Sequence, residues 1–522
     1  MKQIIQHLND GKTVVEEVPV PAVRRGTVLV RTAASLVSAG TERMVVDFAG
    51  KNLIGKAAAR PDLVRQVISK AMREGVIPSI EAAFNKLDQP MPLGYSSAGT
   101  VVDVGEDIAE FKPGDRVACA GGGYAVHAEY AVVPLNLLAR LPESVDFESA
   151  AFTTLGAIAL HGFRLAAPQL GETVCVIGLG LLGLLAAQIA RAAGCNVFGV
   201  DLSEERVKLA QVMGFAAASR NTCLDLVPGL TNGRGFDHVL ICADTTSDDP
   251  VELAGQIARD RGTVVAVGAV GMEIPRKLYY EKELVFKISR SYGPGRYDPQ
   301  YEEDGVDYPL GYVRWTESRN LQSFVDLVAN GSVDVHPLIS HRIPVNDAPG
   351  AYDLISGKLD EPFLGVLLTY PVRTDADKPV RKILLPPDTS RPAADIKLGV
   401  LGAGNYAQAV FLPVIRKTGG AELAGIATAS GMSAQQAARK FGFGFAATSE
   451  EEVLTNPEIN TVVILTRHQH HSRQVLKALR NKKAVYCEKP LALNQPELDE
   501  IEAELSSADT PLLTVGYNRR FA

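Results

Sequence analysis

The sequence predicts an α/β chain: a β-rich opening part followed by two doubly wound parallel-sheet domains of the nucleotide-binding type. Three observations carry this. Strand–helix alternation begins at Glu172 and restarts after Asp395. A glycine-rich turn, Gly178 to Gly183 and again Gly402 to Ala407, stands between a strand and a helix at the head of each run. Between the two runs lies a stretch with five prolines, residues 371 to 395, read as an interdomain linker.

The length agrees. At about 150 residues per domain, a chain of 522 residues suggests three or four domains. With 46% apolar and 22% charged residues, wholesale disorder is excluded. A net charge of −7 lacks the basic footprint of a nucleic-acid binder. Cys119, Cys175, Cys195, Cys223, Cys242 and Cys487 have no CxxC spacing, which reads as reduced thiols. Thr173 to Ala190 is uncharged and long enough to suggest a membrane span, but three glycines interrupt it; strand, turn and buried helix fit better. No export signal stands at the N-terminus. A soluble, cytoplasmic homo-oligomer (dimer or tetramer) acting on a small molecule is expected, with neither nucleic acid nor membrane as partner.

Residues 1–150 read as short strands and turns. Thr27 to Thr32 and Gly99 to Val104 alternate, and Lys112 to Arg116 is a turn feeding a strand. Pro61 to Arg73 is an amphipathic helix with proline at its first position, and Ile80 to Leu87 is a second candidate. Strands are then expected at Val174 to Ile177, Val197 to Val200, His238 to Cys242 and Val264 to Val267. Helices fall at Leu181 to Ala193 and Glu204 to Met213. After the linker come a strand Lys397 to Leu401, a helix Tyr406 to Lys417, and strands Leu423 to Ala427 and Val462 to Leu465.

The glycine turns carry the cofactor expectation. Gly178 permits a tight turn, Gly180 lets backbone amides reach a pyrophosphate, and Gly183 lets helix and strand pack closely. Leu181 and Leu182 open that helix. Asp201 ends the next strand, where its carboxylate would accept from ribose hydroxyls and repel a 2′-phosphate, favouring NAD over NADP. Arg206 and Gly268 complete the predicted set. In the second turn Gly402, Gly404, Asn405 and Tyr406 play the corresponding part. The next strand runs into Thr428-Ala429-Ser430 with no acid, so NAD and NADP both remain open there.

The residues resemble two families. Gly94-Tyr95-Ser96-Ser97-Ala98-Gly99, Lys112-Pro113-Gly114-Asp115, Ala128-Glu129-Tyr130 and the first glycine turn with Asp201 resemble the medium-chain alcohol dehydrogenase superfamily. The resemblance implies a GroES-like catalytic domain over 1–150 and 291–371 and a Rossmann domain over 151–290. Residues 395–522 resemble the nucleotide domain of the Gfo/Idh/MocA oxidoreductases, through Gly402 to Ala407, Thr466 leading to His471, Cys487-Glu488-Lys489-Pro490 and Val515 to Phe521. That resemblance implies cofactor contacts from Thr466, His471, Glu488 and Lys489, with Lys489 also meeting the substrate hydroxyl. It implies in addition a C-terminal sheet domain that would begin about where this sequence stops, at Phe521-Ala522, so either the sequence is a piece of a longer chain or the second half binds dinucleotide without turning over substrate alone. The pairing is similar to bi-domain oxidoreductases of bacterial surface-polysaccharide synthesis.

The departures from the first family concern zinc. Its ligand positions fall here on Ser38 or Ala39, on Tyr95 with Ser96, and near Leu155, none a competent zinc ligand. Cys119 stands alone where a four-cysteine lobe would be. Zinc is therefore not expected, and His468, His470 and His471, adjacent in one loop, are not expected to converge on a metal.

Without zinc, a side chain must exchange the substrate's proton. Tyr95 takes the place of a histidine ligand, either as that acid or merely filling the vacated space. Thr41 resembles the family's hydroxyl relay and Glu42 its neighbouring acid; His127 lies just before Glu129-Tyr130 and reads as structural or as a titrating group. Arg290 to Trp315 holds Tyr292, Tyr297, Tyr301, Tyr308 and Tyr312, the only tryptophan, and Arg290, Arg296 and Arg314. Aromatic faces with guanidiniums suit a sugar acid or nucleotide sugar, or else a packing loop. The expectation is an NAD-dependent oxidoreductase of a carbohydrate derivative. The alternatives are a zinc-free quinone or enoyl reductase, and a non-catalytic dinucleotide-binding module.

Overall fold

A computed structural model describes residues 1–52, 55–56, 89–371, 379–386, 395–506 and 510–517. The helices expected at 61–73 and 80–87, and residues 518–521 of the last motif, lie outside them. Contacts group the chain into two units: Arg24–Asp47 with Pro92–Val372, and Met1–Val23 with Phe48–Met91 and Arg373–Ala522.

In the first of these units, the strands Ala216–Ser219, Asn196–Asp201, Thr173–Ile177, Phe236–Ile241, Ala258–Ala266 and Val285–Ile288 form one six-stranded parallel sheet in that order. The chain starts in the middle, builds one half, then returns to build the other, which leaves a crevice where the order reverses. The uncharged stretch at 173–190 is a buried strand followed by the helix Leu181–Ala192, as its glycines suggested. Buried on both faces, Val174, Cys175, Val176 and Ile177 need no polar alternation.

The β-rich part is one seven-stranded sheet. Thr27–Val37 lies at its centre, antiparallel to Ser96–Val104, Tyr130–Pro134 and Gly365–Thr369. The strand Ile339–Pro344 pairs in parallel with Gly365–Thr369, so residues after the nucleotide sheet complete the sheet begun before it. A helix that the period-2 pattern hid, Thr41–Gly50, follows the central strand directly.

The other unit carries a second doubly wound sheet, ordered Phe445–Ala447, Ala421–Ala427, Ile396–Leu401, Thr461–Ile464, Ala484–Glu488 and Leu513–Gly516. The strand Lys382–Leu384, inside the expected linker, pairs antiparallel with Phe445–Ala447. An unpaired sheet edge is a row of unused donors and acceptors, and even three residues can satisfy it. The helix expected at 406–417 is a π-turn, Ala407–Phe411, running into the α-helix Leu412–Thr418. Met1–Val23, counted with the β-rich part by sequence, packs here: Thr448 Oγ1 donates to the Val20 carbonyl at 2.5 Å and Arg439 pairs with Glu16 at 2.7 Å. All six cysteines are free and buried.

Candidate active site and cofactor cradles

The end of the strand Thr27–Val37 delivers Ser35 and Ser38, and the helix Thr41–Gly50 delivers Thr41 and Glu42. Tyr95 arrives just before the strand Ser96–Val104, whose pairing with Thr27–Val37 sets Ser97 opposite Ser35. The half-buried Tyr95 donates its phenol to Ser38 Oγ at 2.7 Å. Burial pushes the phenol above its usual range; the Ser38 and Thr41 hydroxyls pull it down and the Glu42 charge pushes it up. Two positions that would hold zinc thus hydrogen-bond each other, and the third, Leu155, lies in the apolar core. A phenol, an alcohol and a leucine are not a donor set for zinc.

Glu42, predicted as a catalytic neighbour, is the hub of a buried network. It accepts from Ser38 N at 2.9 Å, from the Tyr352 phenol at 2.6 Å and from His127 Nε2 at 3.1 Å. His127 Nδ1 meets Ser35 Oγ at 2.7 Å, and Ser35 Oγ meets the Tyr370 phenol at 2.8 Å. A carboxylate only accepts, so His127 donates to Glu42 from Nε2. Burial and then the Glu42 charge hold the Tyr352 phenol well above its ordinary range. Ser35, Tyr352 and Tyr370 carried no sequence signal, because they lie up to 335 residues from their partners.

This loop faces the first cofactor cradle. A side chain on Gly40 would stand 3.3 Å from Asp244 Oδ2, just past the strand Phe236–Ile241. Beside it, Gly178 has φ +95° and a Cβ there would meet Ala243 N at 2.7 Å. A Cβ on Gly183 would fall 1.8 Å from the Gly178 carbonyl, and one on Gly268 2.1 Å from the Ala243 carbonyl. Gly180, by contrast, opens on space, with only Arg206 Nη1 within reach at 3.7 Å. Leu181 and Leu182 form the first turn of the helix behind it. A dinucleotide's pyrophosphate fits this cradle. Asp201 ends its strand as expected, yet its carboxylate accepts from Leu179 N at 2.6 Å and Ser203 N at 2.8 Å, with Arg206 at 3.9 Å. It braces the glycine turn.

The second cradle repeats the plan. Gly402 has φ +97° and a Cβ there would meet the Leu465 carbonyl at 2.7 Å, while Gly404 faces open space and Asn405 and Tyr406 begin the helix. His471 is buried, with Nδ1 2.7 Å from the Pro490 carbonyl and Nε2 3.0 Å from the Thr466 carbonyl. It ties together the two loops predicted to touch cofactor. Thr466 donates to Gln474, Glu488 accepts from Tyr486, and Lys489 is exposed. His468 stacks edge-on to His471 with ring centroids 5.6 Å apart. Among the described residues, no group of three or more His, Cys, Asp or Glu is placed to share a metal ion.

The stretch 290–317 divides. Tyr292 and Tyr301 are buried, and Tyr301 stacks on Tyr308, which donates to Asp298. Arg296 pairs with Glu302 and lies 4.2 Å from the Tyr297 ring centroid; Arg290 lies 4.8 Å from the same centroid. Tyr297 and Tyr312 are exposed. Glu317, at the end of the stretch, is fully buried with neither oxygen hydrogen-bonded, and burial pushes its carboxyl up to about 9.

Comparisons with known proteins agree with this architecture. Residues 396–517 match a family model described as an oxidoreductase family with an NAD-binding Rossmann fold, Gfo/Idh/MocA. Residues 182–307 match the zinc-binding dehydrogenase model, and residues 66–143 the alcohol dehydrogenase GroES-like domain. Sorbitol dehydrogenase 1 of Saccharomyces cerevisiae is 28% identical over 305 residues, 51% of this chain and 78% of that protein. D-xylulose reductase of Scheffersomyces stipitis is 27% identical over 307 residues, 52% of this chain and 80% of that protein. In fold, the chain is similar to galactitol-1-phosphate dehydrogenase from Escherichia coli, with TM-score 0.54 and 21% identity over 71% of this chain and all of the other. One chain thus joins segments that match alcohol dehydrogenase models to a segment that matches a Gfo/Idh/MocA Rossmann model, and it is a dehydrogenase-type oxidoreductase binding nicotinamide dinucleotide. Among the described residues no helix is long and apolar enough to cross a membrane.

Proposed function

We propose that this chain transfers a hydride between NAD and a sugar-derived alcohol or ketone without a resident zinc, with Tyr95 exchanging the proton. The observation that carries this is the Tyr95 phenol, bonded at 2.7 Å to Ser38 Oγ in the loop that abuts Asp244 and the first glycine cradle. When bound, the nicotinamide supplies or accepts the hydride. Gly178, Gly180, Leu181, Leu182, Gly183 and Gly268 shape its site, with Asp201 and Arg206 toward the ribose. A phenol held above its ordinary range keeps its proton at neutral pH, so Tyr95 acts as the acid of carbonyl reduction. Ser38 and Thr41 then resupply the proton. The sorbitol and xylulose relatives support a polyhydroxylated substrate, and the arginine and aromatic side chains of 290–315 support an acidic one. Surface-polysaccharide metabolism is the setting that the bi-domain resemblance implies.

The test is Tyr95→Phe. Turnover of a polyol or its ketone should fall by about 10²–10⁴-fold with NAD affinity unchanged. Undiminished turnover would refute the assignment. The same phenol could protonate an enolate, so reduction of a conjugated carbonyl with NADPH, and of no polyol-derived ketone, would favour the enoyl reductase reading.

A further inference from the structure

Trp315, the only tryptophan of the chain, has Arg164 Cζ 3.3 Å and Arg314 Cζ 3.8 Å from its ring centroid. Two guanidiniums that close to one centroid cannot share a face, so the indole is sandwiched between two cations. Stacking occupies the flat face of a guanidinium and leaves its N–H edge for an acceptor.

Other arginines in this neighbourhood have acids: Arg296 pairs with Glu302, and Arg319 with Asp307. Arg164 donates instead to the neutral Asn320 amide and, at 3.2 Å, to Ser323 Oγ. Burial and the charge of Arg314 pull its pKa down to about 10, and no carboxylate opposes them. Among the described residues neither Arg164 nor Arg314 forms an ion pair with an acid, and Arg314 is exposed. One turn earlier on the same helix, His161 is driven down to about 4, first by burial and then by Arg164. It adds no charge at neutral pH. Against it lies Gly293, where a Cβ would meet Asn320 Nδ2 at 2.6 Å and His161 Nδ1 at 3.3 Å. The backbone thus closes one side of the cluster. Two like charges held across one ring, without a counter-ion from the chain, are complementary to an oxyanion.

We propose that Arg164 and Arg314, clamped on Trp315, form an oxyanion site that takes the carboxylate or phosphate group of a sugar-derived ligand. This rests on the reading of residues 290–315 as the substrate-binding stretch and adds Arg164, from the helix Thr153–Ala166, to it.

Trp315 is its own probe. Its emission in the full-length chain, without cofactor, should change saturably on titration with inorganic phosphate, with a hexuronate, or with both. Sodium chloride at matched ionic strength should leave it unchanged. Arg314→Gln, at an exposed position, should weaken the response by roughly ten- to a hundred-fold, as loss of charge-assisted hydrogen bonds does. Arg164→Gln should do the same with the circular dichroism of the fold retained. A response to phosphate alone assigns a phosphorylated ligand, and one to hexuronate alone a sugar acid. No saturable change with either anion, or a response surviving in both variants, overturns the proposal. Because turnover is not read, a failed titration leaves the Tyr95 chemistry standing. An inactive Tyr95→Phe chain with a normal titration leaves the anion site standing.

Discussion

His127 Nε2 lies 3.1 Å from Glu42 Oε2, and both side chains are buried. The pair joins the helix that opens at Thr41 to the loop entering the strand Tyr130–Pro134, and through Ser38 N it fixes the hydroxyl that Tyr95 meets. Removing one partner of such a pair strands the other in a dry site. His127→Leu should lower unfolding free energy by about 3 kcal/mol. His127→Leu and Glu42→Leu should be non-additive by about 1 kcal/mol or more in a double-mutant cycle of urea unfolding. Additive effects would mean that the two do not act as a unit.

Tyr95 sets the pH dependence of reduction. Its phenol is held above the ordinary tyrosine range, chiefly by burial. An acid must be protonated to work, so kcat for carbonyl reduction should stay level through neutrality and fall only as pH rises past that range. Alcohol oxidation, which needs the phenolate, should run the other way and gain on the alkaline side. A pH–rate profile in both directions checks this. A reduction limb falling near neutrality would assign the proton to another group.

Asp201 should govern the choice between NAD and NADP. Asp201→Ala removes the repulsion of a 2′-phosphate and leaves Arg206 beside the ribose position, so the preference for NAD should narrow by about tenfold or more. Because the carboxylate also accepts from Leu179 N and Ser203 N, absolute affinity for NAD should drop too. Titration calorimetry with both nucleotides separates the effects.

Two cradles should mean two dinucleotides per chain. Gly183→Val and Gly402→Val each place carbon where backbone oxygen stands, at 1.8 and 2.7 Å from the Cβ position. Each should halve the stoichiometry, and only Gly183→Val should stop turnover at the Tyr95 site.

Glu317 should make stability fall with pH. Its folded pKa of about 9 lies above the ordinary 4.5, so between those values the unfolded chain has released a proton that the folded chain still holds. The stability contributed by that bound proton is complete below the ordinary value and is lost as pH rises toward the folded one. Glu317→Gln keeps the shape and cannot ionise, so its melting temperature should vary less between roughly pH 5 and 9. Identical slopes for the two proteins would show that the carboxyl is not held protonated.

The features legible along the chain are local ones. The glycine turns, the uncharged strand and helix at 173–190, and the restart after the prolines each declare themselves within a few residues, because φ, close approach and burial are set by neighbours in the chain. Asp201 could be placed at a strand end for the same reason. The tertiary structure alone decided who meets whom. Tyr352 and Tyr370 reach Glu42 and Ser35 because Gly365–Thr369 closes a sheet begun by Thr27–Val37. Arg164 faces Trp315 although 151 positions separate them, since the helix Thr153–Ala166 packs against Glu317–Ala329. Met1–Val23 belongs to the unit that carries the second nucleotide sheet, with its strands in a small sheet of their own, rather than to the β-rich part it precedes. Nothing in the local pattern encodes such pairings; they follow from which apolar faces and sheet edges find each other once the chain is compact.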